Sequence, residues 1–399
     1  MATALPEPEQ AGIWPDAWLL KAVESGMLEA PDFAEAQLQP ASVDLTLGAV
    51  AYRLRCSFLP GKNDTVENQM RAFVLGPPIP LEEGAILERN RPYLIPLRER
   101  LHLPKRVRAR ANPKSSTGRL DVFTRVITDR NGVFDDIKGG YRGPLYLEVV
   151  PRSFAIMART GLALNQLRLV KGDPNEIEVS DTEIRAAHRA DPILYRNGQA
   201  VDRRDVYTQG GLWLTLDLLK RDDQPVGYRA KHNSSLVDLA QVGTHDPEEF
   251  WETVVPETGN RVVLEPEDFY LLLSAEAVRV PPEYAAEMTA FDPAGGEVRT
   301  HYAGFFDPGF GHDPAELFSP GSRAALEIRA HDVPFAVDHL QRVCSLRFER
   351  MAGTPTTLYG AQRGSHYQGQ MSTLSKHFRI DNRPDQATFN RPPRNRRRG

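Results

Sequence analysis

Tyr93-Leu94-Ile95, with Pro104 eleven residues after the tyrosine, returns in the same chain as Tyr270-Leu271-Leu272 with Pro281 again eleven residues on. The offset is 177 at both landmarks (270 − 93 and 281 − 104). It is 179 where Leu147-Glu148-Val149 is echoed by Leu326-Glu327-Ile328 and Leu167-Arg168-Leu169 by Leu346-Arg347-Phe348 (327 − 148 and 347 − 168). Ser235-Leu236-Val237-Asp238-Leu239 also echoes Ala41-Ser42-Val43-Asp44-Leu45. Chance likeness between apolar strands is the plain alternative, but it does not hold an offset nearly constant through four landmarks. A duplicated domain does.

Around these landmarks apolar and polar residues alternate in short runs broken by Pro and Gly, as in Val50-Ala51-Tyr52-Arg53-Leu54-Arg55 and Leu145-Tyr146-Leu147-Glu148-Val149-Val150. That period belongs to half-buried strands, and many short strands with turn signals predict a mainly β fold, a distorted barrel or jelly roll. Pro15 to Gly26 reads as a short amphipathic helix opened by proline and closed by glycine. The expected organisation is a flexible arm (1–12), copy one (13–172), a mixed connector (173–228), a divergent copy two (229–351), a tail (352–380) and a basic, disordered end (381–399). In the connector, Ser180 and Glu183 form a capping box for a helix, and Leu212-Trp213-Leu214-Thr215-Leu216 reads as a strand.

Composition narrows the classes. The chain has 399 residues, a net charge of −4 and 41% hydrophobic residues, which suits a globular protein with no global bias toward nucleic acid or membrane. Two distant cysteines, Cys56 and Cys344, make no disulfide framework and fit a reducing cytoplasm. No apolar run reaches transmembrane length, and the N-terminal residues lack the pattern of a signal peptide. The terminal run from Arg391 to Gly399 is basic and proline-containing, most simply a solvated tail, so nucleic acid is an unlikely partner.

Between strands lies Asn112-Pro113-Lys114-Ser115-Ser116-Thr117-Gly118-Arg119, with two cations, three hydroxyls and a glycine. Such a loop offers fixed charge, hydroxyls and backbone N–H groups to a polyanion. It lacks the spacing of a P-loop. A polar turn is the bland reading. Moving Ser115, Ser116 and Arg119 forward by 177 lands on Asp292, Pro293 and Gly296, so the second copy lacks these groups at the same place. The fold therefore does not require them, which favours a binding role.

Gln39-Pro40-Ala41-Ser42-Val43-Asp44-Leu45-Thr46-Leu47-Gly48, Lys114-Ser115-Ser116-Thr117-Gly118-Arg119, Gly140-Tyr141-Arg142-Gly143-Pro144-Leu145-Tyr146-Leu147-Glu148-Val149 and Arg159-Thr160-Gly161 together resemble the dCTP deaminase branch of the trimeric dUTPase-like superfamily. The long, two-copy bacterial form is the nearest in layout. The resemblance implies a dUTPase-like β fold, active sites between subunits of a homotrimer, and hydrolysis of dCTP to dUTP and ammonia, with dTTP as a possible inhibitor. Carried over residue by residue, it gives Glu148 as catalytic carboxylate, Ser115 and Arg119 beside the base, and Lys114 and Ser116 on phosphate. Thr128 would line the cytosine pocket and Asp135, or else Asp136, would hold the sugar. The segment 129–139 is longer than the family's turn. Tyr359, His366, Tyr367, Gln370 and Lys376 resemble the tail that closes over the nucleotide.

Deamination at C4 of cytosine needs an activated water and a proton for ring N3. The zinc solution uses a C-x-x-C pair, which this chain lacks, so zinc is not expected. A metal-free route needs a carboxylate that takes a proton from water and passes it on. Glu148 on an apolar strand suits that role, although an ion pair with an arginine such as Arg168 is the ordinary explanation of a strand glutamate. Asp307 and Glu327 in copy two also match the family, so a composite site with the copy-one loop stays open. Rings built from like copies would favour Glu148, with Glu327 the alternative. Magnesium is expected only through the triphosphate. Competing functions are a dUTP diphosphatase, a bifunctional deaminase-diphosphatase and a non-catalytic nucleotide sensor.

Overall fold

A computed structural model of the chain describes residues 6–221, 225–289, 298–300, 304–312, 320–330, 332–360 and 373–379. The duplication is written into its strand register. In copy one the long strand Tyr93–His102 pairs with Arg142–Pro151, placing Leu94 opposite Glu148. In copy two Phe269–Val278 pairs with Ser322–Ala330, placing Leu271 opposite Glu327. A second pair repeats likewise: Arg110 opposes Arg168 between Val107–Pro113 and Ala163–Lys171. Glu287 opposes Arg347 between Tyr284–Thr289 and Arg342–Arg350. Register is set by which face each strand buries, so matching registers mean that both copies solve the same packing problem.

Side-chain details repeat too. The Tyr93 hydroxyl accepts from the Glu88 amide at 3.0 Å, and Tyr270 accepts from Glu265 at 3.0 Å. Thr46 donates its amide and hydroxyl to buried Glu99 at 2.8 and 2.7 Å, and Thr215 donates the same groups to Glu276 at 2.9 and 2.7 Å. This last match corrects the expected boundaries. The strand Leu212–Thr215, read as connector, lies on Arg342–Arg350 as Val43–Thr46 lies on Ala163–Lys171. The helix Asp181–Ala190 and the strand Leu194–Arg196 likewise repeat the helix Asp16–Glu24 and the strand Leu28–Glu29.

Most of the connector is thus the beginning of copy two. The supposed echo Ser235–Leu239 serves copy one instead: Val237 and Asp238 run parallel to Ile156 and Met157. Five residues of alternating polarity fit any half-buried strand, whereas the Glu–Thr bonds are specific to one place in the fold.

The cores meet across the boundary. Phe154 of copy one packs edge-on against Phe250 and Trp251, whose rings also contact Phe378 of the tail. Polar contacts join the copies as well. Arg168, fully buried, donates to the carbonyls of Ala286 (3.2 Å) and Phe306 (3.1 Å) and to Asp307 (2.8 Å), and stacks on Phe305. A buried charge held by this many acceptors is tolerated; stripped of them it would cost several kcal/mol. Arg110 pairs with Glu287 at 3.0 Å and with Glu349. Arg110 and Glu287 are equivalent positions (287 − 110 = 177). Equivalent strands therefore face each other, and duplication has let two like residues become opposite charges.

Candidate active site

The loop singled out in the sequence closes copy one against copy two. Val107–Pro113 delivers Lys114 in extended backbone, and Ser115–Gly118 makes one helical turn. A cleft beside it is lined from copy one by Pro113, Lys114, Ser115, Gly118 and Arg119. Copy two supplies Phe305, Phe306, Asp307, Phe310 and Glu327, and Tyr359 comes from the segment after it. The cleft is chemically polarised: cations and a hydroxyl on one wall, two carboxylates on the other, and aromatic rings between.

Glu327 is 8% exposed and sits so close to the turn that a Cβ on Gly118 would fall 2.6 Å from its Oε2. Burial pushes its carboxyl up to about 8; the Arg119 charge opposes the shift and Asp121 adds to it. Arg119 is itself buried, and its Nη1 donates to the Thr373 carbonyl at 3.2 Å. Asp307 is fixed by Arg168.

Lys114 pairs with Asp44, whose carboxyl burial raises while Lys114 and then Lys376 oppose. Lys376 is pushed down, by burial first and by the Lys114 charge second. Two ammonium groups thus share one end of the site, an arrangement suited to an anion. The Ser375 hydroxyl donates to the Ser116 carbonyl at 2.8 Å and lies 2.9 Å from His377 Nδ1, so the tail is docked on the loop.

Not every expected residue comes here. Lys114, Ser115, Arg119, Asp307, Tyr359 and Glu327 line the cleft. Ser116 is buried beneath it, presenting its carbonyl to the tail. His366, Tyr367 and Gln370 lie outside the described residues. Glu148 and Asp135 lie elsewhere, near each other and Arg125, and Thr128 does not line the cleft. Glu148 is fully buried, and its Oε1 accepts from Arg125 Nε (3.1 Å) and Nη2 (2.6 Å). The expected ordinary partner was Arg168; the actual one is Arg125. Its guanidinium centre lies 3.6 Å from the ring centroid of Phe134, and Nη2 donates to Ser57 at 2.9 Å.

Asp135, at φ +61°, accepts from the Val126 amide at 2.7 Å, and burial raises its carboxyl to about 7. Asp136 is exposed. The Thr128 hydroxyl accepts from Asn131 at 3.2 Å. Phe58, Val66 and Met70 of the segment 54–75 pack over this region with Leu94, Ile127 and Tyr146.

Sequence reading missed Asp44 and Arg168 as supports and Phe305, Phe306 and Phe310 as cleft residues. The run Phe305-Phe306-Asp307-Pro308-Gly309-Phe310 was the available signal.

The family model for the N-terminal domain of 2′-deoxycytidine 5′-triphosphate deaminase matches residues 10–173, and that for its C-terminal domain matches 180–378. The crystal structure of 2′-deoxycytidine 5′-triphosphate deaminase from Agrobacterium tumefaciens superposes with a TM-score of 0.79 at 43% identity, covering 86% of this chain and 99% of that one. The chain belongs to the dCTP deaminase family. Among curated relatives, a dUMP-forming dCTP deaminase of Halobacterium salinarum is 35% identical over 133 residues, 33% of this chain and 63% of its own length. A dCTP deaminase of Natronomonas pharaonis is 32% identical over 137 residues, 34% of this chain and 65% of its own.

The two family models meet between residues 173 and 180, after the last strand of copy one, Ala163–Lys171, and at the helix Asp181–Ala190 that begins copy two. Among the described residues no group of three or more His, Cys, Asp and Glu side chains is placed to hold a metal ion, and no helix is long and apolar enough to cross a membrane.

Proposed function

We propose that this chain hydrolyses dCTP to dUTP and ammonia at a site completed within the single chain, with Glu327 as the proton-transferring carboxylate. The observation that carries this reading is a buried carboxyl of raised proton affinity from copy two, set against Arg119 and Ser115 of copy one. The attacking water gives a proton to Glu327 as its oxygen bonds to C4, and Glu327 returns that proton to ring N3. Glu327 then takes the new hydroxyl's proton and passes it to the amino group. The C4–N bond breaks, ammonia leaves, and C4 becomes a carbonyl.

Arg119 offsets charge that develops around the oxygen, and Ser115 orients the water. Phe305, Phe306 and Phe310 offer an apolar bed for the base, and Asp307, held by Arg168, faces the sugar. Lys114 and Lys376 take the triphosphate. The cationic character of this end suits magnesium only as an ion carried in on phosphate oxygens, where it would neutralise part of the charge.

A base must be ionised before it can accept the water's proton. With the Glu327 carboxyl at about 8, kcat/KM for dCTP falls as pH drops below that value. Product analysis over pH 5.5–9.5 tests the reading. Ammonia and dUTP in equal amounts, with this acid limb, support it; absence of ammonia release at any pH overturns it. The dUMP-forming relatives favour one second reading, a bifunctional enzyme, which would release dUMP and diphosphate with the ammonia.

A further inference from the structure

Behind Glu327 the copies are joined by a second buried pair that the reaction above does not use. Asp121 ends the turn that carries Arg119. It is 1% exposed and has φ +55°, a left-handed backbone in which glycine is at ease and an L side chain is not. Its amide donates to the Gly118 carbonyl at 2.8 Å, and its carbonyl accepts from the Arg152 amide at 2.9 Å. Its carboxylate accepts from the Ser153 hydroxyl at 2.6 Å and pairs with Arg329 of copy two. Arg329 stands two residues beyond Glu327 on the same strand and the same face, and is itself buried. One contact thus ties the Arg119 turn to the Glu327 strand.

A non-glycine residue held at positive φ is strain that the surroundings must enforce. Here the strained residue is the one whose side chain reaches the other copy. We propose that Asp121, clamped by Ser153 and Arg329, is a positioning residue that holds Arg119 against Glu327 across the copy boundary. The inference rests on Glu327 being the base.

Its charge also reaches the carboxyl. The groups that face Glu327 are Arg119 and Asp121 from the turn, Arg329 from its own strand by way of Asp121, and Lys114, Asp307 and Tyr359 around the cleft. Among them Arg119 favours the ionised form, whereas Asp121 joins burial in favouring the protonated one.

Asp121→Gly suits the backbone and deletes the carboxylate; Asp121→Asn keeps the side-chain shape should the glycine loosen the turn. Two readouts separate positioning from general structure: the pH dependence of kcat/KM for dCTP, and a carboxyl-carbon NMR titration of Glu327, assigned by its loss in Glu327→Gln. Both midpoints are expected to move down by about one pH unit in the variants. Plateau kcat should drop roughly tenfold or more, with KM little changed. Variants that fold, keep the wild-type midpoint and keep wild-type kcat overturn the inference. A wild-type acid limb that does not follow the Glu327 titration overturns the assignment of the base instead, and the inference falls with it.

Discussion

Glu148 and Glu327 occupy the same register position in two copies of one fold, opposite Leu94 and Leu271, yet their surroundings differ. Glu327 is covered by the catalytic-type loop of the other copy and meets Arg119 across a cleft. Glu148 is covered by its own copy: Arg125 fills the space in front of it, Phe134 stacks on that guanidinium, and residues 54–75 lie over the top. One carboxylate lines a cleft together with Arg119, and the other has its arginine in direct contact. The cleft at Glu327 is thus composite, whereas the matching position at Glu148 is closed by its own copy.

The two carboxylates should differ most in turnover. Glu327→Gln is expected to lower kcat by about 10²–10⁴, the range for a lost general base, whereas Glu148→Gln stays within about twofold per folded molecule. Equal losses in both would dissolve the distinction. The fold control has a definite sign. Glu327 has a folded proton affinity raised from 4.5 to about 8. Its favourable contribution is present below the unfolded value and lost as pH rises through about 8. Glu327→Gln should therefore melt no lower than wild type at pH 9.

A smaller effect, on stability alone, is expected at the sealed half. Arg125→Ala leaves the Glu148 carboxylate buried without its partner and should cost about 3 kcal/mol in denaturant unfolding, with kcat unchanged in the folded fraction. A stable variant with reduced turnover would mean that the sealed half takes part in catalysis.

Much of this was legible in the sequence. The Tyr–Pro spacing and the strand landmarks reported the duplication because each residue type has a place in the fold: Tyr93 and Tyr270 cap equivalent turns through their hydroxyls. The loop Lys114–Arg119 was legible because its chemistry exceeds what a turn needs. The choice of carboxylate was not. Leu147-Glu148-Val149 and Leu326-Glu327-Ile328 have one local pattern, and only the arrangement of the copies decides which glutamate meets the loop.

Within the single chain the copy-one loop shares its cleft with Glu327 of copy two. The plug on Glu148 was also hidden, since Arg125 and Phe134 are remote in sequence from the segment 54–75 that covers them. The long segment 129–139 was the one visible departure, and it carries Phe134 and Asp135. The start of copy two is not legible from an alternating pentapeptide, because the Thr215–Glu276 bonds that identify its first sheet strand are contacts between residues distant in sequence.

On the proposed function, the loop and the carboxylate of one working site come from one chain. Arg119→Ala and Glu327→Gln each disable that site in different copies. Co-expressed with different affinity tags, and purified both as a mixture and through both tags in sequence, they should release no more ammonia from dCTP than either variant alone. Recovery of roughly a quarter of wild-type activity, as expected when loop and carboxylate pair between subunits of a mixed oligomer, would contradict it.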